Sequence, residues 1–256
     1  MATVTIRKPP PMRRGGYYWL RDPNLDKPIP FVSVTEVLNE IAKHKMFVPA
    51  AIRKAHAAWS EDPTISVEEA QATWYRNMKE KASIGSLLHS FYEAWAAGAP
   101  LDPADLPNEA TRKHAVAFVD WFAAVKPEIL HVEATVFNTA LGYAGTGDLW
   151  CRIGDLVAIV DYKTGFLDEF STGMQESAYQ HGEFGMVQAT GERFKLPEVQ
   201  ARYALQTRDN GTYNFVQLPD RWEDFKAYLH AWRARRRSEG VSAPCAEACF
   251  CGGGGV

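Results

Sequence analysis

The sequence predicts an α/β fold: a central mixed β-sheet of about five strands flanked by helices, with a helical N-terminal region. Three observations carry this expectation. The apolar pattern has a helical period up to residue 125 and changes to short strand-like runs after Pro127. Runs at 131–138, 145–153 and 156–163 then follow closely, before a further helical stretch from about 172 to 190. Finally, strands at 199–207 and 212–218 flank Asp209-Asn210-Gly211, the strongest short turn signal in the chain, and a helix over 220–237 closes the fold.

Taken in order, residues 1–30 are rich in Pro, Arg and Gly and read as an extended arm with a short hairpin around Tyr17-Tyr18-Trp19. Ser33 to Glu36 has the spacing of a capping box, which predicts a helix over 34–43. Segments 49–60 and 67–98 continue the helical pattern, broken at Asp62-Pro63, and the prolines of 98–107 make a loop. A helix over 108–125 ends before Pro127. Thr139–Gly142 and Gly154-Asp155 are the turns between the three central strands. The organisation expected is an arm and helical region over 1–80 packed on a core over 81–240, then a flexible Cys- and Gly-rich tail over 241–256.

A chain of 256 residues, 46% hydrophobic, can bury one generous core. Its net charge of −3 projects no global positive field, so any phosphate contact must come from local patches. No stretch of about 18 apolar residues is present, and the start lacks the apolar block of a signal peptide. The expectation is a soluble cytoplasmic protein with no membrane partner. Disulfides are not expected for Cys151, Cys245, Cys249 and Cys251 in such a compartment. Cys151, three positions past Asp148 on a strand, reads as a core thiol.

The chemistry concentrates in two segments. Asp148 follows Gly147 at the head of one strand, and Asp161-Tyr162-Lys163 ends the apolar run Leu156–Val160. Residues i and i+2 of a strand share a face, so Asp161 and Lys163 project together while Tyr162 points away. Two carboxylates roughly 5 Å apart at an effective dielectric of about 20 repel by about 3 kcal/mol, and a divalent cation turns that repulsion into attraction. The plainer readings are a strand-end ion pair for Asp161 and Lys163, and a turn carboxylate satisfying backbone donors for Asp148.

In order along the chain stand a helix with Gly85-Ser-Leu-Leu-His89-Ser-Phe-Tyr-Glu93, a strand with Gly147-Asp148, a strand with Asp161-Tyr162-Lys163 and a helix with Gln175-Glu-Ser-Ala-Tyr179. This series resembles the PD-(D/E)XK nuclease superfamily, specifically its RecB-like exonucleases of CRISPR-associated and phage type, over about residues 80 to 220. The resemblance implies a restriction-endonuclease-like core and Mg²⁺ or Mn²⁺ held by His89, Asp148, Asp161 and the carbonyl of Tyr162. It implies that Lys163 orients or activates the attacking water and stabilises charge on the phosphate, while Gln175 and Tyr179 position the lysine and the DNA strand. The expected activity is metal-dependent hydrolysis of DNA phosphodiesters, as an exonuclease in recombination, repair or replication. DNA, recombination proteins and further copies of the chain are the partners in view.

Glu93, four residues after His89, reads as a supporting carboxylate or as half of an ordinary helix pair. Glu133 reads as a supporting carboxylate, an extra metal contact or an exposed strand glutamate. Gly142-Tyr-Ala-Gly-Thr-Gly147 is not a nucleotide loop, because it lacks the Gly-x-Gly-x-x-Gly order and leads into a strand. Some RecB-like relatives hold an iron–sulfur cluster with one cysteine upstream of the core; none here precedes Cys151, so a cluster is not expected, and a zinc site on the tail cysteines is no better supported. Arg233, Arg235, Arg236 and Arg237 read as a solvated helix end or a phosphate grip, the latter open also to Arg13 and Arg14. The rival from another class is a noncatalytic DNA-binding or scaffold subunit of a recombination complex; its expected mark is loss of one of Asp148, Asp161 and Lys163, and all three are present.

Overall fold

The computed structural model describes residues 12–20, 27–99, 101–187 and 190–240, with Met12 and residues 40–50 described by backbone alone. The tail with Cys245, Cys249 and Cys251 lies outside the described residues, as do 1–11 of the arm.

Among the described residues one mixed sheet has ten strands: β1 Met12–Arg14, β2 Tyr17–Leu20, β3 Ile29–Ser33, β4 Glu128–Asn138, β5 Tyr143–Ile153, β6 Leu156–Lys163, β7 Phe184–Val187, β8 Arg193–Phe194, β9 Ala201–Thr207 and β10 Tyr213–Gln217. The expectation of about five strands is therefore too small. Five are those read from the sequence. Three of the others come from the arm, where β1 and β2 form the hairpin around Tyr17-Tyr18-Trp19 and β3 joins β5 in parallel. Of the last two, β7 occupies part of the segment expected as the second half of a helix over 172–190, and β8 lies just beyond that segment.

That helix stops at Gln180, and two positions beyond it have no room for a side chain. A Cβ on Gly182 would stand 1.9 Å from Val136 Cγ1, and one on Gly185 would stand 2.2 Å from the Phe194 ring. The two glycines let the chain press against β4, where Gly185 pairs with Val136.

The helices are α1 Val34–Glu61, α2 Val67–Ala96, α3 Glu109–Val125, α4 Glu169–Gln180 and α5 Trp222–Ser238, plus a short 3₁₀ turn at Pro103–Asp105. The two segments read separately at 34–43 and 49–60 are one helix. The capping box sits elsewhere than expected. Ser33 precedes α1 without a side-chain cap, its hydroxyl bonding Thr35, whereas Ser66 and Glu69 form a reciprocal box at the start of α2. Asn108 and Thr111 do the same for α3, which ends at the left-handed Lys126 before Pro127.

Helices cover both sheet faces. On one, α1, α4 and α5 bury Val37, Met174, Tyr179, Phe225 and Trp232 against Trp150 and Ile159. On the other, α2 and α3 bury Leu88, Tyr92, Phe118 and Trp121 against Leu149, Val160 and Tyr162. Cys151 is buried in this second cluster, as its alternation with Asp148 requires. Among the described residues no helix is long and apolar enough to cross a membrane.

The topology leaves one opening. Along one edge β5 is paired with β4; along the other, Tyr143 and Ala144 pair with β3 while Leu149 to Ile153 pair with β6. Residues 145–148 have no ladder partner on that second edge, so β3 and β6 part around them.

Candidate active site

The fork between β3 and β6 is the floor of a cavity of about 480 Å³ lined by Arg13, Tyr18, Thr35, His89, Glu133, Thr146, Asp148, Asp161, Lys163, Gln175 and Tyr179. Leu149 and Val160 are the last ladder pair of β5 and β6. The next residues, Asp148 and Asp161, would face each other in that register, but the strands splay, and Asp148 Oδ2 instead accepts from the Tyr162 backbone N–H at 2.7 Å. A local reason for the splay is Tyr179, whose ring lies against β5. A Cβ on Gly145 would come within 2.2 Å of Tyr179 Cε1, and one on Gly147 within 3.0 Å of Trp150 Nε1 and 3.4 Å of Tyr179. The run Gly145-Thr-Gly147 is thus a bed for an aromatic ring, which explains its composition without a nucleotide.

Asp161 is 2% exposed. Gln175 Nε2 donates to its Oδ1 at 2.8 Å, and Lys163 Nζ stands 2.5 Å from its Oδ2, a charge contact outside hydrogen-bond geometry. Burial raises the Asp161 carboxyl above its ordinary value and Asp148 adds to this, while Lys163 and His89 work against it. Burial lowers Lys163, but the charges of Asp161, Asp148 and Glu176 outweigh it and the ammonium is held above its usual range. Lys163 therefore keeps its proton at neutral pH.

His89 Nδ1 lies 3.6 Å from Asp148 Oδ1. Burial depresses the imidazole, yet the hydrogen bond and charge of Asp148, with the charge of Asp161, raise it overall. Glu133 reaches the cavity from β4, where it interrupts the ladder between Val132–Leu149 and Ala134–Gly147 with a left-handed backbone at φ 51°. Its carboxyl is pushed up to about 8, first by burial, then by hydrogen bonding to Glu93 and by the charges of Glu93 and Asp148. Glu93 touches Glu133 and does not line the cavity itself. Tyr162 meets the site through its backbone; its ring is buried on the opposite face, 5.4 Å from Tyr92 and 5.5 Å from Phe118.

Several participants escaped the sequence reading. Tyr18, Thr35 and Thr146 line the cavity, joined by the bonds Tyr18 Oη to Thr146 Oγ1 at 3.0 Å and Arg13 to Thr35 Oγ1 at 3.0 Å. Glu176, beside Gln175, is fully buried with neither carboxylate oxygen hydrogen-bonded, and its carboxyl is raised well above the ordinary value by burial and by Asp161 and Asp148. No signal in the sequence separates it from a solvated helix glutamate. Three of the four arginines named at the end of α5 are engaged structurally: Arg236 stands 3.4 Å from Glu36, Arg235 3.0 Å from Glu239, and Arg233 donates to the Leu141 carbonyl.

Among the described residues no three His, Cys, Asp or Glu side chains converge as a ready-made ligand set. The donor chemistry nevertheless suits a hard cation. Asp148, Asp161 and Glu133 line one half-buried cavity with an imidazole at its side, and the Glu133 and Asp161 carboxyls are raised first by burial and then by neighbouring carboxylates, a repulsion that a divalent ion would relieve. No protein-family model matches this sequence, and comparison with curated proteins finds no match.

Proposed function

We propose that this chain is a metal-dependent DNA nuclease, hydrolysing phosphodiester bonds as an exonuclease in recombination, repair or replication. The observation that supports it most is the meeting of Asp148, Asp161 and Lys163 in one cavity where β5 and β6 splay, with His89 and Gln175 bonded or adjacent to the same carboxylates. A Mg²⁺ or Mn²⁺ ion held by Asp148, Asp161 and His89, with the Tyr162 carbonyl as the further donor that the family resemblance implies, would supply Lewis acidity and a water acidic enough to react at neutral pH.

The chain's own groups divide the rest of the work. Lys163, protonated, places a fixed positive charge where a phosphate oxygen gains charge during attack, so its part is electrostatic. Gln175 holds Asp161 in one orientation through its amide N–H. Arg13 brings a guanidinium to the cavity, suited to a neighbouring phosphate of the strand. Tyr179, clamped on Gly145 and Gly147, keeps α4 seated on the strand that carries Asp148.

End-labelled single- and double-stranded DNA incubated with Mg²⁺, Mn²⁺ or chelator tests the reading through the product ladder. Lys163→Ala is expected to slow hydrolysis by about 100-fold or more, the scale for loss of a preorganised charge. Asp161→Asn should lose both hydrolysis and cation binding. An Asp161→Asn protein that cuts DNA as fast as the parent would sink the assignment, and binding without cutting by the parent would favour the scaffold reading.

A further inference from the structure

The segment that links the end of β6 to α4 presents an aromatic ring that the fold does not use. Phe166 is 74% exposed, the highest value among the large hydrophobic side chains of the described residues. A lone exposed apolar residue needs no explanation by itself. Three features set this one apart. First, it lies three residues beyond Lys163, so its Cα is within about 11 Å of the Lys163 Cα whatever path the chain takes. Second, the backbone on both sides is held. Gln206 Nε2 donates to the Gly165 carbonyl at 2.6 Å, and the Asp168 carboxylate caps α4 through the N–H groups of Phe170 and Ser171. Third, α2 approaches the start of the same loop: a Cβ on Gly85, one turn before His89, would stand 3.5 Å from Thr164 Oγ1. The ring is therefore carried, exposed, on an anchored loop that leaves the strand bearing Lys163. A second exposed ring, Phe170, stands one helical turn on with the Arg221 guanidinium 4.8 Å over it.

A flat apolar ring on an anchored loop next to the proposed phosphodiester site suits stacking on the face of a nucleobase. Bases inside a duplex already stack on each other, so only an unpaired base offers a free face. We propose that Phe166 stacks on an unpaired nucleobase of the strand being cut, which makes single-stranded ends the preferred substrate of this site. The inference rests on the nuclease reading above and adds a substrate class to it.

The test is a cycle between protein and substrate. A series of single-stranded oligonucleotides, each with one base removed at a different position, is hydrolysed by the parent, Phe166→Ala and Phe166→Trp, and kcat/KM is read for each. Loss of one base–aromatic contact is expected to cost about tenfold. The parent should lose about that factor at one abasic position. Phe166→Ala should be slower by a similar factor on the intact strand and lose nothing further at that position, the non-additivity of a direct contact. Phe166→Trp should restore the parent's profile. An abasic profile in Phe166→Ala equal to the parent's, or a flat profile in the parent, overturns the stacking role while leaving the nuclease reading intact. A parent that hydrolyses no DNA strand overturns both, and that outcome is visible without any variant.

Discussion

At Glu133 two costs meet: a left-handed backbone, on the order of 1 kcal/mol for a residue with a Cβ, and a carboxyl pushed up to about 8 by burial, Glu93 and Asp148. A carboxyl with a raised folded-state value binds more protons in the folded chain than in the unfolded one. The stability it contributes is full below its ordinary 4.5 and is lost as pH rises through about 8. Glu133→Gln, which keeps the shape and removes the charge, should therefore raise Tm at about pH 8.5 and leave it nearly unchanged below about pH 4.5. Thermal unfolding in chelator at the two pH values checks this; an equal shift at both would show that the carboxyl does not titrate as placed. The residues that carry this electrostatic load were unevenly legible. Asp161 and Lys163 stand out in sequence because an apolar strand delivers them at its end, and Asp148 because it follows the glycines of 145–147. Glu176 does not, since its burial is decided by how α4 sits on the sheet.

At the scale of elements, glycines decide where helix gives way to strand and where a ring can lie on a strand. Gly145→Ala puts a methyl group 2.2 Å from Tyr179 Cε1, and the ring is wedged in the core with little room to yield. A loss of about 1 to 3 kcal/mol is expected, the usual range for overpacking. Because Tyr179 anchors α4, activity should fall with stability as Gln175 moves off Asp161. A denaturation midpoint equal to the parent's would show that Tyr179 is free to move aside. The hairpin β7–β8 was illegible for a related reason: a stretch with helical apolar spacing is strand here because Gly182 and Gly185 fit against Val136 and Phe194 across the sheet. The shift of the capping box from Ser33 to Ser66 has the same character. Glu36 has the right spacing for a box, yet in the fold it faces Arg236 of α5.

For the molecule as a whole, the three raised carboxyls of Glu133, Asp161 and Glu176 act in one direction, so the cation-free protein is destabilised as pH rises. A divalent cation that binds the folded chain alone opposes this, by about 2.7 kcal/mol at a concentration of about 100 Kd. Mg²⁺ or Mn²⁺ should accordingly raise Tm at about pH 8.5 and much less at about pH 5, where protons compete for the same oxygens. Equal Tm with and without cation at the higher pH would count against the metal proposal. By itself the sequence determined the α/β class, the three central strands, the hairpin at Asn210-Gly211 and the two strands that carry Asp148 and Asp161-Tyr162-Lys163. These follow from local periodicity and turn chemistry, which are written in neighbouring residues. Only the tertiary structure decided that the hairpin of the N-terminal arm joins the central sheet through β3, that β3 and β6 part to open a cavity over residues 145–148, and that Glu133, Glu176 and Arg13 join the same charged neighbourhood. Each of these depends on contacts between segments tens to more than a hundred residues apart, and pairing of that range leaves no mark on the local pattern.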